Sequence, residues 1–180
     1  VFPGDPVTFD SLFDTAHGMI KSRALDDRAG CAILIDLLKK PLLYDMLFAF
    51  VVQEETGLNG SKTAAYIADP DAAIVVESTT AADVAGVPED KQVCHVGSGP
   101  VLSFMDRRTI YDRAYYQMAF DAAKETGVSC QAKQAVAGGN DAGATSRAAA
   151  SARWRSPCRA GICTPLSASS PRRISMRPKR

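Results

Sequence analysis

Apolar residues fall into blocks whose spacing changes along the chain, and each change marks an element. Pro3-Gly4-Asp5-Pro6 reads as a turn and Val7-Thr8-Phe9 as a short strand. From Ala29 the spacing is helical: Ala29, Ala32, Ile33 and Leu37 run on to Lys39-Lys40, where Pro41 stops the pattern. Met46 to Val52 is an unbroken apolar run, rich in aromatic and β-branched residues, and predicts a strand buried on both faces. Ser61 is placed to cap a helix through Ala68, which Asp69-Pro70-Asp71 breaks. Ala72 to Val76 predicts a second buried strand ending at Glu77, and Val101 to Phe104 another. Arg113 to Thr126 predicts a helix closed by Gly127, and Gln131 to Val136 a strand running into Gly138-Gly139-Asn140-Asp141. Strands alternating with helices predict an α/β layered fold with a mostly parallel sheet.

Composition bounds this picture. The chain has 180 residues, 46% hydrophobic and 23% charged, enough for one domain with a core. No apolar run reaches the roughly 18–20 residues of a membrane helix. The start lacks an initiator Met and a signal-peptide pattern, which reads as a chain beginning in mid-protein and a cytoplasmic location. Cys31, Cys94, Cys130, Cys158 and Cys163 follow no metal or disulfide spacing and predict reduced thiols.

The net charge of +1 conceals two different sequences. Residues 1–146 hold 12 Lys and Arg and all 20 Asp and Glu, a net of −8. Residues 147–180 hold 9 Lys and Arg and no acid. The first part is an acidic domain; the second is an Arg/Ala/Ser/Pro tract predicted to be disordered. Its composition is that of a shifted reading frame. A basic tail for nucleic acid or anionic membrane is the weaker alternative, because Trp154 is the tract's only aromatic residue.

Three acidic groups carry the candidate chemistry. Asp26-Asp27 precedes a helix, Glu54-Glu55 follows one predicted strand, and Glu77 ends the next. Ligands of open α/β sheets bind outside the carboxyl ends of the strands, so the three groups are expected to converge there. Carboxylates crowded at one edge repel one another, and divalent cations would offset that repulsion. Each group alone is ordinary: acids are common at helix N-termini and in solvated turns. Their joint position is the signal.

The segments Lys21–Ala32, Val51–Ala65 and Ile74–Asp83 resemble, in order, three hallmark segments of the dinuclear metallo-aminopeptidases that include glutamyl and tetrahedral aminopeptidases. Gly97–Val101 and Gly138–Ala144 are similar to two more, and the resemblance covers about residues 1–146. It implies a three-layer α/β/α zinc-peptidase-like sheet, present in part. Residues 1–9 would be the end of an inserted β-barrel domain, residues 10–146 a partial catalytic domain, and residues 147–180 an aberrant basic tail. It implies two divalent metal ions, Zn or Co, with Asp26 bridging them across a cis Asp26–Asp27 peptide. Glu55 and Glu77 would each bind one ion, and Glu54 would be the general base. The implied activity is release of N-terminal residues from short peptides by a self-associating homo-oligomer, with no nucleic-acid or membrane partner.

Two features depart from the family. Its metal-binding histidines lie upstream of the barrel and in a C-terminal Pro-x-Arg-Tyr-x-His-Ser/Thr-Pro segment. Here Pro157–Leu166 matches that segment at its flanks only, and His17 and His95 lie in neither place. The chain is therefore expected to be an incomplete, weakly active or inactive fragment. A non-catalytic oligomer subunit is the alternative. A glycosidase using Glu54 and Glu77 is disfavoured by the single Trp, which leaves no aromatic platform for sugar rings.

Overall fold

The computed structural model describes residues 2–7, 13–152 and 159–166. Its elements run α1 (Leu25–Leu38), α2 (Asn59–Ala68), β1 (Ala72–Ser78), β2 (Val101–Leu102), α3 (Arg113–Thr126), β3 (Gln131–Ala132), α4 (Asp141–Ala152) and β4 (Arg159–Leu166), with 3₁₀ turns at Ala16–Gly18 and Glu89–Lys91. The fold is mixed α/β and both strand pairs are parallel, as the alternating pattern predicts. β1 pairs with β4 from Ala72↔Arg159 to Ser78↔Leu166, with a register shift between Ala73 and Val75. β2 pairs with β3 through Val101↔Gln131 and Leu102↔Ala132.

Local chemistry sets the best-defined element, α3. The Asp112 carboxylate accepts the N–H groups of Ala114 and Tyr115, and Gly127 closes the helix in the left-handed region at φ 67°. Tyr116 stacks edge-to-face on both Phe104 and Phe120, at centroid distances of 5.3 and 5.1 Å. In α2 the structure corrects the cap. The helix starts at Asn59 after a left-handed Leu58, and Ser61 lies inside the first turn, its hydroxyl donating back to the Leu58 carbonyl at 3.0 Å.

The core gathers around β2 and the start of α4. Val101, Leu102, Cys94, Tyr111, Ala142 and Ala144 are buried, and Val75 of β1 packs against Tyr111 and Ala142. Met46–Val52 is not the buried strand the apolar run predicts. It forms no strand, with Leu47 72% and Val52 69% exposed. A strand needs a ladder partner, and among the described residues no strand pairs with this segment. β1 is likewise half-exposed, Ile74 facing outward. β2 and β3 are shorter than predicted. Beyond Leu102 the chain turns back on itself, Met105 bridging Ile110.

The predicted strand Val7–Phe9 falls mostly outside the described residues. The composition break at residue 147 lies inside α4, which continues to Ala152; β4 then adds to β1. Among the described residues no helix is long and apolar enough to cross a membrane.

Candidate metal centre and adjoining cavity

Asp26 and Asp27 stand in the first turn of α1, joined by a cis peptide bond as the resemblance implies. Their backbone is non-helical, at φ −84°, ψ 109° for Asp26 and φ −115°, ψ 48° for Asp27. Glu77 arrives from the carboxyl end of β1. One carboxylate oxygen from each of Asp26, Asp27 and Glu77 falls within 4.8 Å of the others. Asp27 is oriented by its partners: its Oδ1 accepts the Gly30 N–H at 3.0 Å and the Ser78 hydroxyl at 3.5 Å. A Cβ on Gly30 would collide with the Asp27 carboxylate. Gly30→Ala is therefore expected to weaken divalent-cation affinity about tenfold or more, as loss of a ligand's orientation does, readable by metal titration.

Electrostatics shows what the cluster lacks. Burial, then the charges of Asp27 and Asp26, push the Glu77 carboxyl up to about 8. Burial, with the Asp26 charge adding to it, pushes Asp27 up to about 6, against the opposing hydrogen bonds from Gly30 and Ser78. Among the described residues no Lys or Arg nitrogen lies within 4.0 Å of these carboxylates. Three hard oxygen donors without a cationic partner suit a divalent ion.

The raised Glu77 value carries a sign. Between its unperturbed 4.5 and about 8 the folded protein binds more protons than the unfolded chain. Stability of the metal-free protein should therefore fall as pH rises through that window. Thermal melts in chelator should show this slope, and Glu77→Gln should flatten it. An equal slope in the variant would contradict the assignment.

Glu54 and Glu55 occupy a turn held by the Leu58 N–H bonding to the Gln53 carbonyl at 2.9 Å and by Gly60 N–H to the Val52 carbonyl at 3.1 Å. They line a cavity of about 300 Å³ together with Arg107, Arg108, Gly138 and Gly139. Burial raises the Glu54 carboxyl above its usual range, and the charges of Asp141, Glu55 and Asp26 raise it further; Arg108 opposes them. Glu54 is thus within electrostatic reach of Asp26. Glu55 does not join the three-carboxylate group, and Asp27, expected only as the cis partner of Asp26, does. Neither His17 nor His95 joins it.

The far side of the cavity escaped the sequence reading. Asp106, buried, accepts from the N–H groups of Arg108 (2.7 Å) and Thr109 (2.8 Å) and from the Tyr111 hydroxyl (2.8 Å). The Asn140 amide donates to the same Tyr111 oxygen at 3.1 Å. This network ties the 106–109 turn to the Gly138–Asp141 segment. The latter was visible as a Gly-Gly-Asn-Asp motif; Asp106-Arg107-Arg108 offered no signal beyond a polar turn.

In this parallel α/β scaffold three carboxylates converge at a strand's carboxyl end, an arrangement chemically suited to a cation. The M42 glutamyl aminopeptidase family model matches residues 1–156, and the chain belongs to that family. A protein of Acetivibrio thermocellus described as a putative aminopeptidase is 37% identical over 125 residues, covering 68% of this chain and 37% of its own length. The structure of aminopeptidase APDkam598 from Desulfurococcus kamchatkensis superposes with a TM-score of 0.72 at 28% identity, covering 82% of this chain and 41% of that one. The Pyrococcus horikoshii TET1 peptidase, which can assemble into a tetrahedron or a large octahedral shell, gives 0.64 at 27% identity, covering 90% of this chain and 47% of its own. The chain thus spans less than half the length of these relatives.

Proposed function

We propose that the chain carries part of the catalytic domain of a metal-dependent aminopeptidase that removes residues from the free amino end of short peptides. On this reading the domain is the partial three-layer α/β/α sheet of a zinc peptidase, with residues 1–9 the end of an inserted barrel. The carrying observation is the convergence of Asp26, Asp27 and Glu77 without a cationic partner, beside Glu54. Asp26 and Glu77 hold divalent ions, Zn or Co, and Glu55 supplies a further ligand from the adjoining turn. Asp27 holds its neighbour's geometry through Gly30 and Ser78. When bound, the ions supply Lewis-acid polarisation of the scissile carbonyl.

Glu54 is the general base. Burial and the neighbouring carboxylates raise its proton affinity, which suits it to take a proton from the attacking water and to pass it to the leaving amine. The whole protein would work as a cytoplasmic homo-oligomer, consistent with the shells of its TET1 relative.

The test is cation titration of the chelator-stripped chain, followed by hydrolysis of an aminoacyl anilide. Tight Zn or Co binding with hydrolysis lost on chelation is expected; failure to bind either ion would sink the reading. One observation favours a second reading. With no histidine beside the carboxylates, the chain binds cations without turning substrate over. Metal bound at full occupancy with no hydrolysis would select it.

A further inference from the structure

We propose that Asn59-Gly60 is a self-modification site, at which Asn59 converts to an aspartyl or isoaspartyl residue at a rate set by opening of the Glu54–Leu58 turn.

The chain holds two asparagines, and Asn59 is the one followed by glycine. In such a pair the main-chain nitrogen of the second residue can reach the asparagine side chain, because no Cβ blocks the approach. The Gly60 nitrogen gives up its proton and attacks Cγ of Asn59. A C–N bond forms, the Cγ–Nδ2 bond breaks, and ammonia leaves with the proton. Water then opens the succinimide ring at either carbonyl and leaves an aspartyl or an isoaspartyl linkage. Water is the only co-reactant, and nothing is oxidised or reduced.

Three features of the structure bear on this reaction. The first imposes the pair. A Cβ on Gly60 would come 2.7 Å from the Val52 nitrogen and nearer still to the Val52 carbonyl oxygen. Only glycine fits there, so packing places a permissive residue behind an exposed Asn59. The second holds the reaction back. The Gly60 N–H donates to the Val52 carbonyl at 3.1 Å, and Asn59 is the first residue of α2. The hydrogen bond keeps the proton on the nitrogen, and a helical main chain at Asn59 turns that nitrogen out of line with Cγ.

The third favours opening. Gln53 and Leu58 both lie in the left-handed region, at φ 62° and 60°, so the turn between them is strained. Leu58, at the N-cap of α2, offers no side-chain hydrogen bond to the free N–H groups of the helix. Against opening stands the buried Ser61, whose hydroxyl donates to the Leu58 carbonyl at 3.0 Å. Conversion therefore proceeds through the open fraction of the turn. An isoaspartyl linkage adds a main-chain carbon at the joint between the Glu54–Glu55 turn and α2. Gly60 then cannot keep its place against Val52, and the turn is released from the helix. Asn140 is the internal control: it precedes Asp141, is buried, and donates its amide to the Tyr111 oxygen at 3.1 Å.

The test is peptide mass spectrometry of the full chain aged in mildly alkaline buffer, folded and in denaturant. The mass gain of amide-to-acid conversion is expected at Asn59, with an isoaspartyl fraction, and not at Asn140 of the folded chain. The folded chain should convert Asn59 about tenfold slower than the denatured one, as gating by local opening requires. Ser61→Ala keeps the pair but loses one hydrogen bond, so it should convert about fivefold faster than the parent when folded and at the parent's rate in denaturant. Equal folded and denatured rates would overturn the proposal, as would an Asn59 that stays intact in the folded chain while the denatured chain is consumed. So would a folded Ser61→Ala variant that converts no faster than the parent. If that variant fails to fold, the parent's two rates decide alone. The readout is a mass, so it holds whether or not the chain hydrolyses peptides.

Discussion

Glu54→Gln should cut aminoacyl-anilide hydrolysis by about a thousandfold, within the range a general base contributes, while leaving the fold and the bound cations in place. Each part of that expectation has its own cause. The substitution preserves shape and removes only the ability to take a proton. Glu54 lies outside the group formed by Asp26, Asp27 and Glu77, so cation binding should persist. The ionised Glu54 is held against burial and the charges of Asp141, Glu55 and Asp26, so its loss relieves repulsion. The variant should therefore melt no lower than the parent and somewhat higher near neutral pH. Activity falling while stability rises is the signature of a group kept for chemistry. Retained hydrolysis with metal bound would show that another residue is the base.

The second large effect is structural. Asp106→Ala is expected to destabilise the protein by about 3 kcal/mol or more, because hydrogen bonds to a buried charge are worth about 1.5–3 kcal/mol each and their donors would be stranded. Asp106 is 5% exposed and Tyr111 3%, so water cannot easily replace the lost acceptor. Three donors lose it at once: the N–H groups of Arg108 and Thr109 and the Tyr111 hydroxyl. For a chain of this size the melting temperature should drop by roughly 6–12 °C. Tyr111→Phe removes one member and should cost only about 1 kcal/mol. Denaturant unfolding of both variants checks the order. A loss below about 0.5 kcal/mol for Asp106→Ala, the level of an ordinary surface change, would show the network to be dispensable.

Much of the local structure was legible because local signals determine it. Asp112 and Gly127 bracket α3, and both act within a few residues of themselves. The break at Asp69-Pro70 ends α2, and the apolar run 72–76 becomes β1. Glu77 falls at the carboxyl end of β1, where the apolar run before it predicts it. Ser61 misled for a local reason too: its hydroxyl satisfies the Leu58 carbonyl within the helix instead of a free N–H before it.

The alternation of helices and strands, the parallel pairing and the acidic character of the site all follow from local pattern and composition. Tertiary structure decided which acids meet. Asp27 enters the cluster and Glu55 stands apart because the orientation of α1 against β1 is a long-range fact that no spacing encodes. The same holds for Met46–Val52, where apolar composition predicts burial but only a neighbouring strand could provide it. It holds most of all for Asp106, Arg107 and Arg108. Their roles arise when Tyr111 and Asn140 close a hydrogen-bond network across about 30 residues of chain, joining a polar turn to the edge of the site.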